Sequence, residues 1–133
     1  MTVCTKDRKP ILANDTAHRI LRQAWRDADH FLVGRYVMMP DHLHLFASPS
    51  SPDHSDVMRW IGYWKRLATQ AWPHQNDFPL WQTRCWDTQL RAGASYSAKW
   101  DYVRANPVRH SLVSETEDWL YQGDLNRFEW HEK

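Results

Sequence analysis

Cysteine is nearly absent from this chain: of 133 residues only Cys4 and Cys85 carry thiols, and they form no Cys-x-x-Cys pair. A disulfide framework is thereby excluded, and a cytoplasmic protein with free thiols is expected. An excess of charge is lacking too, since seventeen Lys and Arg against sixteen Asp and Glu leave a formal +1. Any site for a polyanion must come from the placement of charges, because the net balance does not supply one. No apolar run reaches membrane-spanning length, and the start, with Lys6, Asp7, Arg8 and Lys9 close behind Met1, has no signal-peptide core. No membrane partner is expected. Internal repeats and low-complexity tracts are also missing, and the length predicts a single domain over 1–133 with one hydrophobic core.

Tryptophan is what the chain has in plenty, nine in all. Most should pack in or against the core, while exposed ones can stack on unpaired bases. The apolar period switches repeatedly, as it does in mixed layers of helix and sheet. Met1 to Thr5 predicts a short strand, and Thr16 a cap for a helix that buries Ile20, Leu21 and Ala24. Phe31 to Met39, the Pro40-Asp41 turn and His42 to Ala47 predict a hairpin at the centre of the sheet. After the break at Ser48 to Pro52, Val57, Trp60, Ile61, Trp64 and Ala68 keep helical spacing, with Lys65 and Arg66 off that stripe. Pro73 to Pro79 is expected as loop, Trp81 to Leu90 as strand, and Ser95 as the opening of a helix that stops at Asn106-Pro107. The tail after Val113 shows no clear period.

Two features carry chemistry. His42 and His44 flank Leu43 on an expected strand, where side chains at i and i+2 share a face about 6 to 7 Å apart. They can converge on one cation while Leu43 and Leu45 enter the core. A wet strand face with two idle histidines has the same spacing, so spacing alone leaves both readings open. In the last expected helix, Tyr96, Trp100 and Val103 form the buried stripe, while Tyr102 lies off it, one turn from Asn106. An Asn before Pro is also a common way to end a helix, so Asn106 has a structural reading beside the functional one.

Met39-Pro40-Asp41-His42-Leu43-His44, then Trp81-Gln82, Trp86-Asp87 and Leu90-Arg91, then Asp101-Tyr102-Val103-Arg104-Ala105-Asn106-Pro107-Val108-Arg109-His110 resemble in order and spacing the single-tyrosine HUH transposases, REP-associated branch. The likeness runs from about Thr2 to Trp119. It implies an α+β fold, a ferredoxin-like antiparallel sheet with helices packed on it and the HUH pair on a central strand. It implies metal-dependent cleavage and strand transfer on single-stranded DNA with hairpin or palindromic elements. His42, His44 and Asn106 correspond to the metal ligands and Tyr102 to the nucleophile. Mg²⁺ or Mn²⁺ is the expected ion, although imidazoles by themselves favour softer metals. Attack by Tyr102 would leave a phosphotyrosine ester that a DNA 3′-hydroxyl can reverse.

The chain begins inside the first strand, so a short strand beside the site is expected. Thr88 and the Leu-Tyr-Gln-Gly run after Trp119 depart from the family pattern. Lys65, Arg66, Arg91, Arg104 and Arg109 are the candidates for DNA contact, in a monomer or homodimer. Two other functions compete: a domesticated relative that grips DNA hairpins without turnover, and a small-molecule zinc hydrolase. The second lacks a further His or carboxylate at ligand spacing.

Overall fold

The computed structural model describes residues 1–53, 56–86 and 96–126. Strands β1 (Thr2–Thr5), β2 (Phe31–Met38), β3 (His42–Pro49), β4 (Trp81–Trp86) and β5 (Gln122–Asp124) form one sheet in the order β4-β1-β3-β2-β5. Every neighbouring pair is antiparallel. The β2–β3 hairpin occupies the interior of the sheet as expected, with β3 in the middle. β1 is short and yet lies inside the sheet, bonded on both edges.

Strand alternation sorts β3 into two faces. Leu43 and Leu45 are fully buried, and with Val3, Tyr36 and Met38 they meet helices α1 (Asp15–Asp27) and α2 (Val57–Ala71). α1 contributes Ala17, Ile20, Leu21, Ala24 and Trp25, and α2 contributes Trp60, Ile61, Trp64 and Ala68. The tryptophans fill this layer edge to face, with Trp64 centred 5.9 Å from Trp25 and 5.5 Å from Trp81, the offset that ring quadrupoles favour. The opposite face carries His42, His44 and Phe46. Helix α3 (Tyr96–Arg104) lies against it through Trp100, whose ring is 6.2 Å from Phe46 and 5.5 Å from the Arg35 guanidinium.

Two local expectations are corrected, the α1 cap and the stop at Asn106-Pro107. Asn14, not Thr16, caps α1, because its side-chain oxygen reaches the Ala17 amide at 2.8 Å while Thr16 is already inside the first turn. The strand expected to Leu90 is described only to Trp86, and Ser95 lies outside the described residues. The chain does not stop at Asn106-Pro107: after Ala105 it re-enters a turn, α4 (Asn106–Arg109), in whose first positions Pro107 needs no N–H. The tail supplies β5, which pairs with β2 through Gly123 opposite Tyr36. A side chain at Gly123 would put its Cβ 2.8 Å from the Tyr36 hydroxyl, so any larger residue would require the tyrosine to shift.

Between β1 and α1 the backbone is strained. Asp7 and Arg8 have φ of 56° and 55°, a left-handed conformation that costs L residues about 1–2 kcal/mol each. The loop is held from below: Thr5 Oγ1 reaches the carbonyls of Lys9 at 2.9 Å and Asp41 at 3.1 Å, and Lys9 Nζ donates to the Pro79 carbonyl at 2.7 Å.

Candidate metal and nucleophile site

β3 brings His42 and His44 together on one face, with ring centroids 5.0 Å apart and planes at 89°. Each ring is tied at Nδ1. His42 Nδ1 lies 2.7 Å from Asp41 Oδ1. A carboxylate only accepts, so the proton is on Nδ1 and the Nε2 lone pair is left for a ligand. His44 Nδ1 meets the Thr2 hydroxyl at 2.9 Å across the β1–β3 ladder, which allows the same tautomer. Burial, then the neighbouring charges of His42, the amino terminus and Arg109, push His44 down to about 4. It is neutral at neutral pH, the state a metal requires.

Asp41 is the hub of a short chain of polar contacts. Burial pushes its carboxyl up, but hydrogen bonds from Arg8 and His42 outweigh that and hold it below its ordinary value. Arg8 Nε donates to Asp41 Oδ2 at 2.9 Å. The guanidinium also passes 3.4 Å from His42 Nδ1, too far for a good bond and with a proton on each side.

Asn106, only 7% exposed, heads α4. Its Oδ1 accepts from Arg109 Nη2, while Arg109 Nη1 donates to the Tyr102 carbonyl at 2.7 Å. The same guanidinium lies 4.2 Å from the Tyr102 ring centroid, a cation–π distance. Tyr102 itself is 69% exposed. The turn at Ala105 separates it from Asn106, so the pair is joined by Arg109 rather than by one continuous helix face as the i, i+4 spacing predicted. Arg109 thus ties Tyr102 and Asn106 together across the α3–α4 corner.

Imidazole nitrogen with an amide oxygen is a mixed donor set that a divalent ion could accept. Both imidazoles are tied at Nδ1, and the nearly buried Asn106 amide oxygen has a second lone pair beside its bond to Arg109. Among the described residues no group of three or more His, Cys, Asp or Glu is placed to hold a metal.

The other candidates for DNA contact are scattered. Lys65 Nζ donates to the Gln82 carbonyl at 3.1 Å, Arg66 stacks 5.6 Å from the Tyr63 ring, and Arg104 Nε lies 3.5 Å from Asp101. Arg91 lies outside the described residues, as does the side chain of Tyr96. Arg19, Arg22 and Arg26 had gone unnoticed. With His18 and Gln23 they line a cleft of about 330 Å³ on α1. Arg22 is anchored to the buried Tyr36 hydroxyl at 2.5 Å. Their i, i+3, i+7 spacing was visible in the sequence, but reads equally as a solvated helix face.

An antiparallel sheet that presents a histidine pair to a tyrosine-bearing helix defines a class, and the comparisons name it. Residues 1–105 match the family described as transposase, IS200-like, and the chain belongs to that family. Among its relatives is the REP-associated tyrosine transposase of Escherichia coli, 30% identical over 124 residues that cover 90% of this chain and 72% of that protein. A Haemophilus influenzae relative, whose name places it with the same transposases, is 25% identical over 90% of this chain and 75% of its own. A solved structure of a REP-associated tyrosine transposase bound to a REP hairpin superposes with a TM-score of 0.73 at 26% identity, covering 99% of this chain and 88% of that one.

Proposed function

We propose that this chain is a single-domain, metal-dependent endonuclease and strand transferase, acting in the cytoplasm on single-stranded DNA that carries hairpin or palindromic elements. The observation that carries the reading is the pairing of His42 and His44 on one strand face with both imidazoles tethered at Nδ1, so that Nε2 of each is the atom placed to meet a ligand. His42, His44 and Asn106 would hold Mg²⁺ or Mn²⁺, which supplies withdrawal of charge from a non-bridging phosphate oxygen and stabilises a phenolate nearby. The likeness to a transposase solved on a hairpin supports the choice of substrate.

The rest of the work falls to the chain's own residues. Tyr102 Oη attacks the phosphorus, the Tyr O–P bond forms and the P–O3′ bond breaks, and the proton lost by the phenol is balanced by one gained at the departing 3′-oxygen. The 5′-phosphotyrosine keeps the ester, so a 3′-hydroxyl can attack it and rejoin strands. Exposure of Tyr102 leaves its hydroxyl open to substrate, and Arg109, stacked on its ring, is placed to meet phosphate charge at the same point. The α1 arginines offer a second cationic surface for the DNA backbone.

The test is cleavage of a hairpin oligonucleotide with a single-stranded flank, with and without Mn²⁺. Metal-dependent nicking by the intact chain and its loss in His44→Ala, with hairpin binding retained, is the expected result. Equal nicking by both proteins would contradict the reading.

A further inference from the structure

We propose that Arg8 is a positioning residue for His42, acting through Asp41; the inference rests on the reading of His42 as a metal ligand. Asp7 and Arg8 both adopt left-handed φ, 56° and 55°, where glycine is the residue at ease. Neither is glycine. Such conformations persist where the surroundings over-determine them, and they collect at functional sites. Here the left-handed turn carries the Arg8 guanidinium back across the sheet to the Pro40-Asp41 corner, 33 residues away in sequence.

The consequence is a carboxylate held from both sides. Oδ2 accepts from Arg8 Nε at 2.9 Å and Oδ1 takes the His42 Nδ1 proton at 2.7 Å. The Arg8 contact restrains Asp41, and the Asp41 carboxylate in turn favours the imidazole tautomer that carries its proton on Nδ1. The loop that aims Arg8 is itself braced, by Thr5 beneath it and by Lys9 bonded to the Asp77 and Pro79 carbonyls. His44 has no equivalent, since its Nδ1 meets only the neutral Thr2 hydroxyl. The two histidines are therefore supported unequally, and the support of His42 is the one that depends on a strained loop. Partners of this kind orient metal ligands, and losing one commonly costs about 10–100-fold in affinity or activity.

Arg8→Gly is the informative variant, because glycine suits the φ of 55° and removes the side chain without adding backbone strain; Arg8→Ala is its companion. Two readouts on the full chain are needed. The first is Mn²⁺ affinity without DNA, expected to weaken about tenfold or more, with hairpin cleavage recovering as Mn²⁺ is raised. The second is the exchange of the His42 Nδ1 proton with water in metal-free protein, read from ¹⁵N-labelled imidazole, expected to quicken as Asp41 loosens. Unchanged Nδ1 exchange in Arg8→Gly overturns the proposal, whatever happens to activity. So does a loss of hairpin affinity with Mn²⁺ binding and Nδ1 exchange at their wild-type values, which would make Arg8 a phosphate contact. If the intact chain binds no Mn²⁺, the metal reading fails, and the Nδ1 exchange still decides the role of Arg8.

Discussion

The two faces of the sheet are made by alternate residues of the same strand and have almost nothing in common. Under α1 and α2, Leu43 and Leu45 are fully buried in a layer of tryptophans whose rings meet edge to face. On the other face His42 and His44 stand half-buried, each bonded at one nitrogen, and the face is covered in part by α3 through the Phe46–Trp100 contact. One face is packing with little polar chemistry. The other is polar chemistry with little packing. A strand of period two can carry both because a one-residue step changes face, so stability and reactivity can be altered separately at neighbouring positions.

The largest expected effect follows from that separation. His44→Ala should remove metal-dependent cleavage, a loss of about a hundredfold or more if the ion contributes several kcal/mol. The melting temperature should change little, since a half-buried imidazole is replaced without opening the core. Its neighbour should do the reverse. Leu45→Ala empties a fully buried position and should cost about 2–5 kcal/mol by chemical denaturation, while leaving cleavage intact at temperatures where the variant is folded. If the two substitutions produced similar profiles, the faces would not be independent.

A smaller effect is expected at the α1 cleft. Replacing Arg19 and Arg26 together with glutamine should weaken hairpin binding and reduce the salt dependence of affinity by about two phosphate contacts, measured by anisotropy across a salt series. Arg59→Gln on α2 is the control. An unchanged slope would confine DNA to the histidine face.

The smallest effect concerns acid. His18 contacts the Tyr36 hydroxyl at 2.6 Å, and burial together with the Arg22 charge holds it below its ordinary value. A histidine with a depressed folded pKa adds stability above its unfolded value of about 6.5 and loses it as pH falls through the folded one. Stability should therefore decline below about pH 6.5, and His18→Gln should flatten that decline.

What the sequence made legible follows from how local each signal is. The β2–β3 hairpin and the α2 stripe of Trp60, Ile61, Trp64 and Ala68 are written in periodicity, and the structure has both. β5 could not be read because Gln122, Gly123 and Asp124 have no strand propensity; the strand exists because Gly123 fits under Tyr36. Pro107 signalled a stop, and the chain used it to start a turn. The histidine pair was visible as spacing. Its anchors Thr2 and Arg8 were not, since both arrive from the other end of the domain through strand pairing and a left-handed loop. Arg109, a candidate DNA contact by sequence, also bonds to Tyr102 and Asn106, partners that its spacing alone does not reveal.

The central claim is that the histidine face performs strand cleavage with Tyr102 as nucleophile, and one measurement meets it directly. The full chain is incubated with Mn²⁺ and a hairpin oligonucleotide bearing a cleavable single-stranded flank, and covalent protein–DNA product is resolved under denaturing conditions and mapped by mass spectrometry. The intact chain and Tyr96→Phe should form the adduct, on Tyr102 in both. Tyr102→Phe should form none while keeping its melting temperature and hairpin affinity. An adduct that persists in Tyr102→Phe and maps to another residue would contradict the account.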